Sequence, residues 1–187
     1  SGNFTRPDID RNTLLQIVQQ NPDVLFECWG SYEAKQSNLG GGSDQLLAEF
    51  IQSLQSMANV VLHGPLSSNK LAIELKRMNA FLICYDILKD QSGGTNYHKI
   101  LEYLSTGKVV VSNNVTTYQN EEDLLEKTTS RNNNNELPLL FKKVISNLNN
   151  FNNIEKQKKR IAYAMGNTYA SQLNRIEKKL NELMIHE

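Results

Sequence analysis

The chain has 187 residues, and 20 lysines and arginines stand against 20 aspartates and glutamates for a formal charge of zero. That length suits one large domain or one half of a two-lobed enzyme, and the neutral balance argues against a general nucleic-acid binder, which carries a basic excess. No apolar run approaches the ~18–20 residues of a membrane span, and the N-terminus lacks the charged-then-apolar pattern of a secretion signal. In chain order, the pattern then alternates helical stripes with short apolar runs. Leu14, Leu15, Ile17 and Val18 after Asp10 form the first stripe, and Asp23–Trp29 the first run. Leu46, Leu47, Phe50, Ile51, Leu54 and Met57 predict a second helix, followed by a run at Asn59–His63. Leu71, Leu75 and Met78 predict a third, with Ser67 or Ser68 as its N-cap, before the run Ala80–Tyr85. Ile100, Leu101 and Leu104 predict a fourth, stopped by Gly107 ahead of Lys108–Ser112. The apolar runs have the length and composition of strands buried on both faces.

Strand and helix in steady alternation imply right-handed crossovers and a parallel sheet, so the expected fold is a Rossmann-like α/β domain with flanking helices. The first helix has no strand before it. Ser1-Gly2-Asn3-Phe4 reads as a strand end and its turn, so the expectation is a fragment, or a version of the sequence without its first strand. Beyond Ser112, Glu121–Lys127 reads as a short acidic helix, and Arg131–Glu136, with four consecutive asparagines, as a surface loop that does not pack. Leu139–Leu148 is a short amphipathic helix, and Asn153 to Met184 is one long helix or two, with Gly166 the expected kink. The division expected is 1–150 for a nucleotide-sugar-binding lobe and 151–187 for helices packing on it or on an absent N-terminal lobe. Cys28 and Cys84 lie in apolar runs and read as reduced core residues of a cytoplasmic protein. Asparagine makes up about an eighth of the chain, well above the usual few per cent, and composition does not explain it.

In an open parallel sheet, ligands bind where strands end and helices begin. The loops Gly2–Asp8, Gly30–Ser43, Gly64–Ser68 and Asp86–His98 qualify. The last is the strongest: Gly93 and Gly94 allow close approach of an anion, Thr95 and Asn96 can donate hydrogen bonds, and Lys99 adds a charge. Glu102, one turn inside the helix, can accept two hydrogen bonds from a diol such as a ribose. Bland readings stand beside these. A Gly-Gly pair is more often a flexible connection, and Lys99 and Glu102 at i,i+3 more often a solvated pair. His63 and His98 are isolated, with no metal-ligand spacing around them. Gly40-Gly41-Gly42 lacks the Gly-Lys-Ser/Thr of a P-loop, and no nucleophile elbow or convincing triad is present.

The stretch TNYHKILEYLSTGKVVVSNN, residues 95–114, resembles the nucleotide-binding segment in the C-terminal lobe of GT-B glycosyltransferases, the retaining "group 1" family. SGNFTRPDIDRNTLLQIVQQNPDVLFECWG is similar to that lobe's opening Gly-rich turn and the glycine closing its second strand. NVVLHGPLSSNKLAIELKRMNAFLICY resembles the strand, glycine turn and helix before the donor loop, and IAYAMGNTYASQLNRIEKKL the C-terminal helices. The resemblance covers nearly the whole chain. It implies that Glu102 holds the donor's ribose hydroxyls, and that the amides of Gly94–Tyr97 and the start of the next helix, at His98 and Lys99, cradle diphosphate and sugar. It implies that Gly64, Pro65 and Leu66 line the base site, and that Gly2, Asn3 and Phe4 face the diphosphate from the opposite side. Departures stand out too: many relatives carry a second glutamate where this chain has Gly94, a proline where it has His98, and an Arg and Lys where only Arg6 is near.

The function expected is therefore that of the donor-binding lobe of a glycosyltransferase of polysaccharide biosynthesis. The full enzyme would move a sugar from a nucleoside diphosphate to a glycan or lipid-linked acceptor held by an N-terminal lobe. No metal or cofactor is implied, no nucleic-acid partner either, and the fragment alone would be inactive. Localisation is expected to be cytoplasmic, with peripheral association at the inner face of the membrane left open. The alternative is a non-catalytic nucleotide-sugar-binding subunit working with a partner chain. A third reading is an α/β interaction or regulatory domain without a nucleotide.

Overall fold

Asp10 starts the first helix as an N-cap should: its carboxylate accepts from the Thr13 amide at 3.1 Å and the Thr13 hydroxyl at 2.7 Å. The computed structural model describes residues 1–33, 45–86, 88–90, 98–121 and 123–184, with the His98 side chain outside the description. In chain order these form α1 (Arg11–Gln20), β1 (Phe26–Trp29), α2 (Gln45–Ser56), β2 (Val60–Gly64), α3 (Ser68–Leu75) and β3 (Ala80–Ile83). There follow α4 (His98–Ser105), β4 (Val109–Ser112), a 3-10 turn (Thr116–Tyr118) and β5 (Glu126–Lys127). The chain closes with α5 (Leu137–Ser146), α6 (Leu148–Phe151), α7 (Ile154–Gly166) and α8 (Tyr169–Met184). The fold is α/β, with parallel strands flanked by helices.

Among the described residues the strands pair as two parallel groups, β1–β2 and β3–β4–β5. On one face, Ile17 of α1 and Leu137, Phe141 and Val144 of α5 bury Val109 and Val111 of β4. On the other, Leu75 of α3 and Ile100, Tyr103 and Leu104 of α4 cover Phe81, Ile83 and Val110. The rings of Phe81 and Tyr103 stack there, with centroids 4.2 Å apart. A third cluster joins Phe4 to Leu47, Phe50, Ile51 and Leu54 of α2.

Two sequence expectations are corrected. Glu121–Lys127 is not a helix: Asp123 has a positive φ of 64°, and Glu126 and Lys127 pair as β5 with Val111 and Ser112. A ladder to a wholly buried strand outweighs the weak helical pattern of seven residues. The Asn-rich tract does pack at one point. Asn134 is buried, and its Nδ2 donates to Asp10 Oδ2 at 2.8 Å and to the Tyr85 carbonyl at 2.7 Å. The C-terminal helix does break as expected, just past Gly166, and α7 lies against α4.

The asparagine surplus has a structural use. An amide side chain offers a neutral donor and acceptor together, so it can satisfy loop backbone of either kind. Asn59 donates to the carbonyls of Val18, Asn21 and Val24, tying the end of α1 to the turns that open β1 and β2. Asn152 accepts from the Val109 amide at 2.8 Å and donates to the Asn79 carbonyl at 2.8 Å, closing the start of β3 and β4. Arg160 of α7 performs a charged version of the same task. It is wholly buried, and its Nη1 donates to the carbonyls of Gly107 and Phe151, at the ends of α4 and α6 where helix dipoles favour a cation.

Candidate functional site

The carboxyl ends of β1 and β2 finish on glycines, and these lie abreast with Gly2. Gly30 donates its amide to the Gly64 carbonyl at 2.8 Å, and Gly2 donates to the Trp29 carbonyl at 2.8 Å. Gly30 has a φ of 130°, and a Cβ placed on it would sit 1.7 Å from the Gly2 carbonyl oxygen. Only glycine permits that approach. The result is a shelf of bare backbone along the sheet edge.

The first turn of α4 faces this shelf. A Cβ on Gly2 would lie 2.8 Å from Lys99 Nζ. That ammonium donates to the Tyr85 hydroxyl at 2.5 Å and to the Ser1 carbonyl at 3.3 Å, and lies 5.2 Å from the Tyr85 ring centroid. No carboxylate among the described residues pairs with it. Tyr103, one turn on, is buried, and its hydroxyl meets the Ser1 amino group at 2.7 Å. Burial, and then the Lys99 charge, lower the pKa of that amino group from 8.0 to about 5. Glu102 is exposed, and no hydrogen bond or ion pair among the described residues engages its carboxylate.

The other residues singled out from the sequence fall as follows. Asn3 accepts from the amide and hydroxyl of Thr5, at 3.0 and 2.6 Å, and shapes the turn. Phe4 sends its ring into the core under α2, while its amide donates to the Ser31 carbonyl at 2.8 Å. Pro65 and Leu66 are exposed just past Gly64. Leu66 borders a shallow depression with Glu27, Trp29, His63, Glu74 and Arg77. There His63 Nε2 lies 3.0 Å from Glu27 Oε2, and its ring stacks on Trp29 with centroids 4.8 Å apart. Gly93, Gly94, Thr95, Asn96 and Tyr97 lie outside the described residues; His98 opens α4. Sequence reasoning missed Tyr85, the hydroxyl that holds Lys99. Its signal was position, two residues past a parallel strand, where ligand-facing side chains gather. No group of three metal-ligating side chains occurs among the described residues, and no described helix is long and apolar enough to cross a membrane.

Parallel strands, helices on both faces and a glycine edge facing a helix start define a Rossmann-like α/β domain of GT-B-like fold. Comparison with solved structures agrees. The chain superposes on the pneumococcal O-GlcNAc transferase GtfA in complex with UDP and GlcNAc, with a TM-score of 0.57 and 17% identity over 94% of the chain. It spans 33% of that protein's length. At this identity the likeness is one of fold. No family model matches the chain, and no curated protein does.

Proposed function

We propose that this chain is the donor-binding lobe of a nucleotide-sugar-dependent glycosyltransferase. The observation that carries the reading is the meeting of Gly2 with Lys99 at the sheet edge, beside the unengaged carboxylate of Glu102. Backbone amides, a helix start and one ammonium suit a diphosphate, and a carboxylate free of partners suits a vicinal diol. In this reading Lys99 and the Gly93–His98 segment hold the phosphates and Glu102 the ribose. Gly64, Pro65 and Leu66 border the base. Gly2 and Asn3 close on the diphosphate from the far side, and Phe4 anchors their turn in the core. The likeness to an enzyme crystallised with UDP and GlcNAc supports the same class of donor.

The chemistry follows from those parts. Departure of a nucleoside diphosphate develops negative charge on the β-phosphate, and preorganised amides with the Lys99 ammonium stabilise it without a metal. The acceptor needs its own positioning surface, because transfer gains its largest entropic advantage when both reactants are fixed. We assign that surface to a second lobe, with residues 1–150 as the donor unit and 151–187 as the helices nearest to it. Saturating UDP or GDP, at about a hundred times Kd, is expected to raise Tm by roughly 5–10 °C, about 3 kcal/mol of linkage. Glu102→Ala is expected to remove most of that rise. No rise with any common nucleoside diphosphate overturns the reading.

A further inference from the structure

The Lys99 ammonium has three N–H donors. Among the described residues two acceptors meet it, the Tyr85 hydroxyl at 2.5 Å and the Ser1 carbonyl at 3.3 Å. Both are neutral oxygens, so the ammonium is held in place with its charge uncancelled. An aspartate or glutamate in the place of Tyr85 would hold it as firmly and neutralise it. One donor remains, on an ammonium so close to Gly2 that a Cβ there would lie 2.8 Å from Nζ. The Tyr85 ring adds to the hold, with its centroid 5.2 Å from the same nitrogen.

Tyr85 is itself fastened at both backbone groups. Its amide donates to Asn113 Oδ1 at 3.2 Å, and its carbonyl accepts from Asn134 Nδ2 at 2.7 Å. Both asparagines are buried. Asn134 also donates to Asp10 Oδ2 at 2.8 Å, which ties this point to the start of α1. Ile9 bridges to Tyr85, flanked by bonds from the Asp10 amide to the Cys84 carbonyl and from the Asp86 amide to the Asp8 carbonyl. Separate stretches of chain, around Ile9, Asn113 and Asn134, thus converge on one residue two positions past β3. The hydroxyl inherits that fixity, because a tyrosine side chain turns about only two torsions.

We propose that Tyr85 is a positioning residue for the donor's diphosphate: its hydroxyl holds the Lys99 ammonium beside Gly2 before a ligand arrives. The four-carbon stem of a lysine is flexible, and closing it on a phosphate costs rotamer entropy that a stem already held does not lose. The phenol oxygen keeps one N–H when the ligand is bound, while the remaining donor turns to the phosphate. The diphosphate in this proposal rests on the donor-lobe reading; the hold of Tyr85 on Lys99 does not.

The test uses Tyr85→Phe, which keeps the ring and removes the hydroxyl, Lys99→Gln, and the two combined. Without nucleotide, NMR of isotope-labelled lysine ammonium groups reads the hold directly. Exchange of the Lys99 ammonium protons with water is expected to quicken at least fivefold in Tyr85→Phe. With UDP and GDP as probes, Tyr85→Phe is expected to raise Kd about fivefold to tenfold in the unaltered chain, and less than twofold in the Lys99→Gln background. A tyrosine that merely supported the fold would weaken binding equally in both. Should Tyr85→Phe fail to fold, Asn134→Ala, which frees the Tyr85 carbonyl and leaves Lys99 untouched, is expected to quicken the same exchange at least twofold. Unchanged exchange in the variant that folds, or equal losses of affinity with and without Lys99, overturns the proposal. Absence of nucleotide binding by the unaltered chain overturns the donor-lobe reading and the diphosphate role with it, while the exchange rates still decide whether Tyr85 holds Lys99.

Discussion

The two halves of the sheet are built to different standards. In the C-terminal half every residue of β4 is buried, with α1 and α5 against one face and α3 and α4 against the other. In the N-terminal half β2 alternates: Val60 and Leu62 turn toward α2, while Val61 and His63 are exposed. In the C-terminal half, packing on both faces of β4 dominates. The N-terminal half holds its shape through backbone contacts at its rim, such as Gly2 on Trp29 and Gly30 on Gly64. The half that carries the glycine edge is thus the less buried one.

The largest effect that sharpens this contrast is in the packing itself. Leu104→Ala, at a wholly buried position of α4, is expected to cost about 3 kcal/mol. Val61→Ala in β2, at 38% exposure, is expected to cost under about 1 kcal/mol. Equal shifts in urea midpoint would erase the distinction between the halves. Between these two falls Asn59→Ala, expected to cost about 1–2 kcal/mol because three carbonyls lose their shared donor. Hydrogen exchange should then show opening confined to α1, β1 and β2, with β4 unaffected.

How much was legible follows the range of the forces involved. The Asp10 cap, the stripe Ile17–Val18 and the runs that became β1 to β4 depend on neighbours within a few residues, so pattern alone exposes them. The two-residue strand β5 has no pattern of its own; Glu126 and Lys127 extend only because β4 lies alongside. The candidate site divides in the same way. The glycines and Glu102 were visible as residue types at loop and helix starts. The Gly2–Lys99 approach joins residues 97 positions apart, and Tyr85 enters only through the hydrogen bond that Lys99 makes to it.

Length, neutral charge and the alternation of short apolar runs with helical stripes were enough to determine an α/β chain with parallel strands, because those features record burial and local periodicity. Tertiary structure alone decided which backbone edges meet. It gave the asparagines their roles as bridges between turns and laid Gly2, Gly30 and Gly64 side by side. Those outcomes depend on register and on contacts distant in sequence, for which a residue's own neighbours carry no signal.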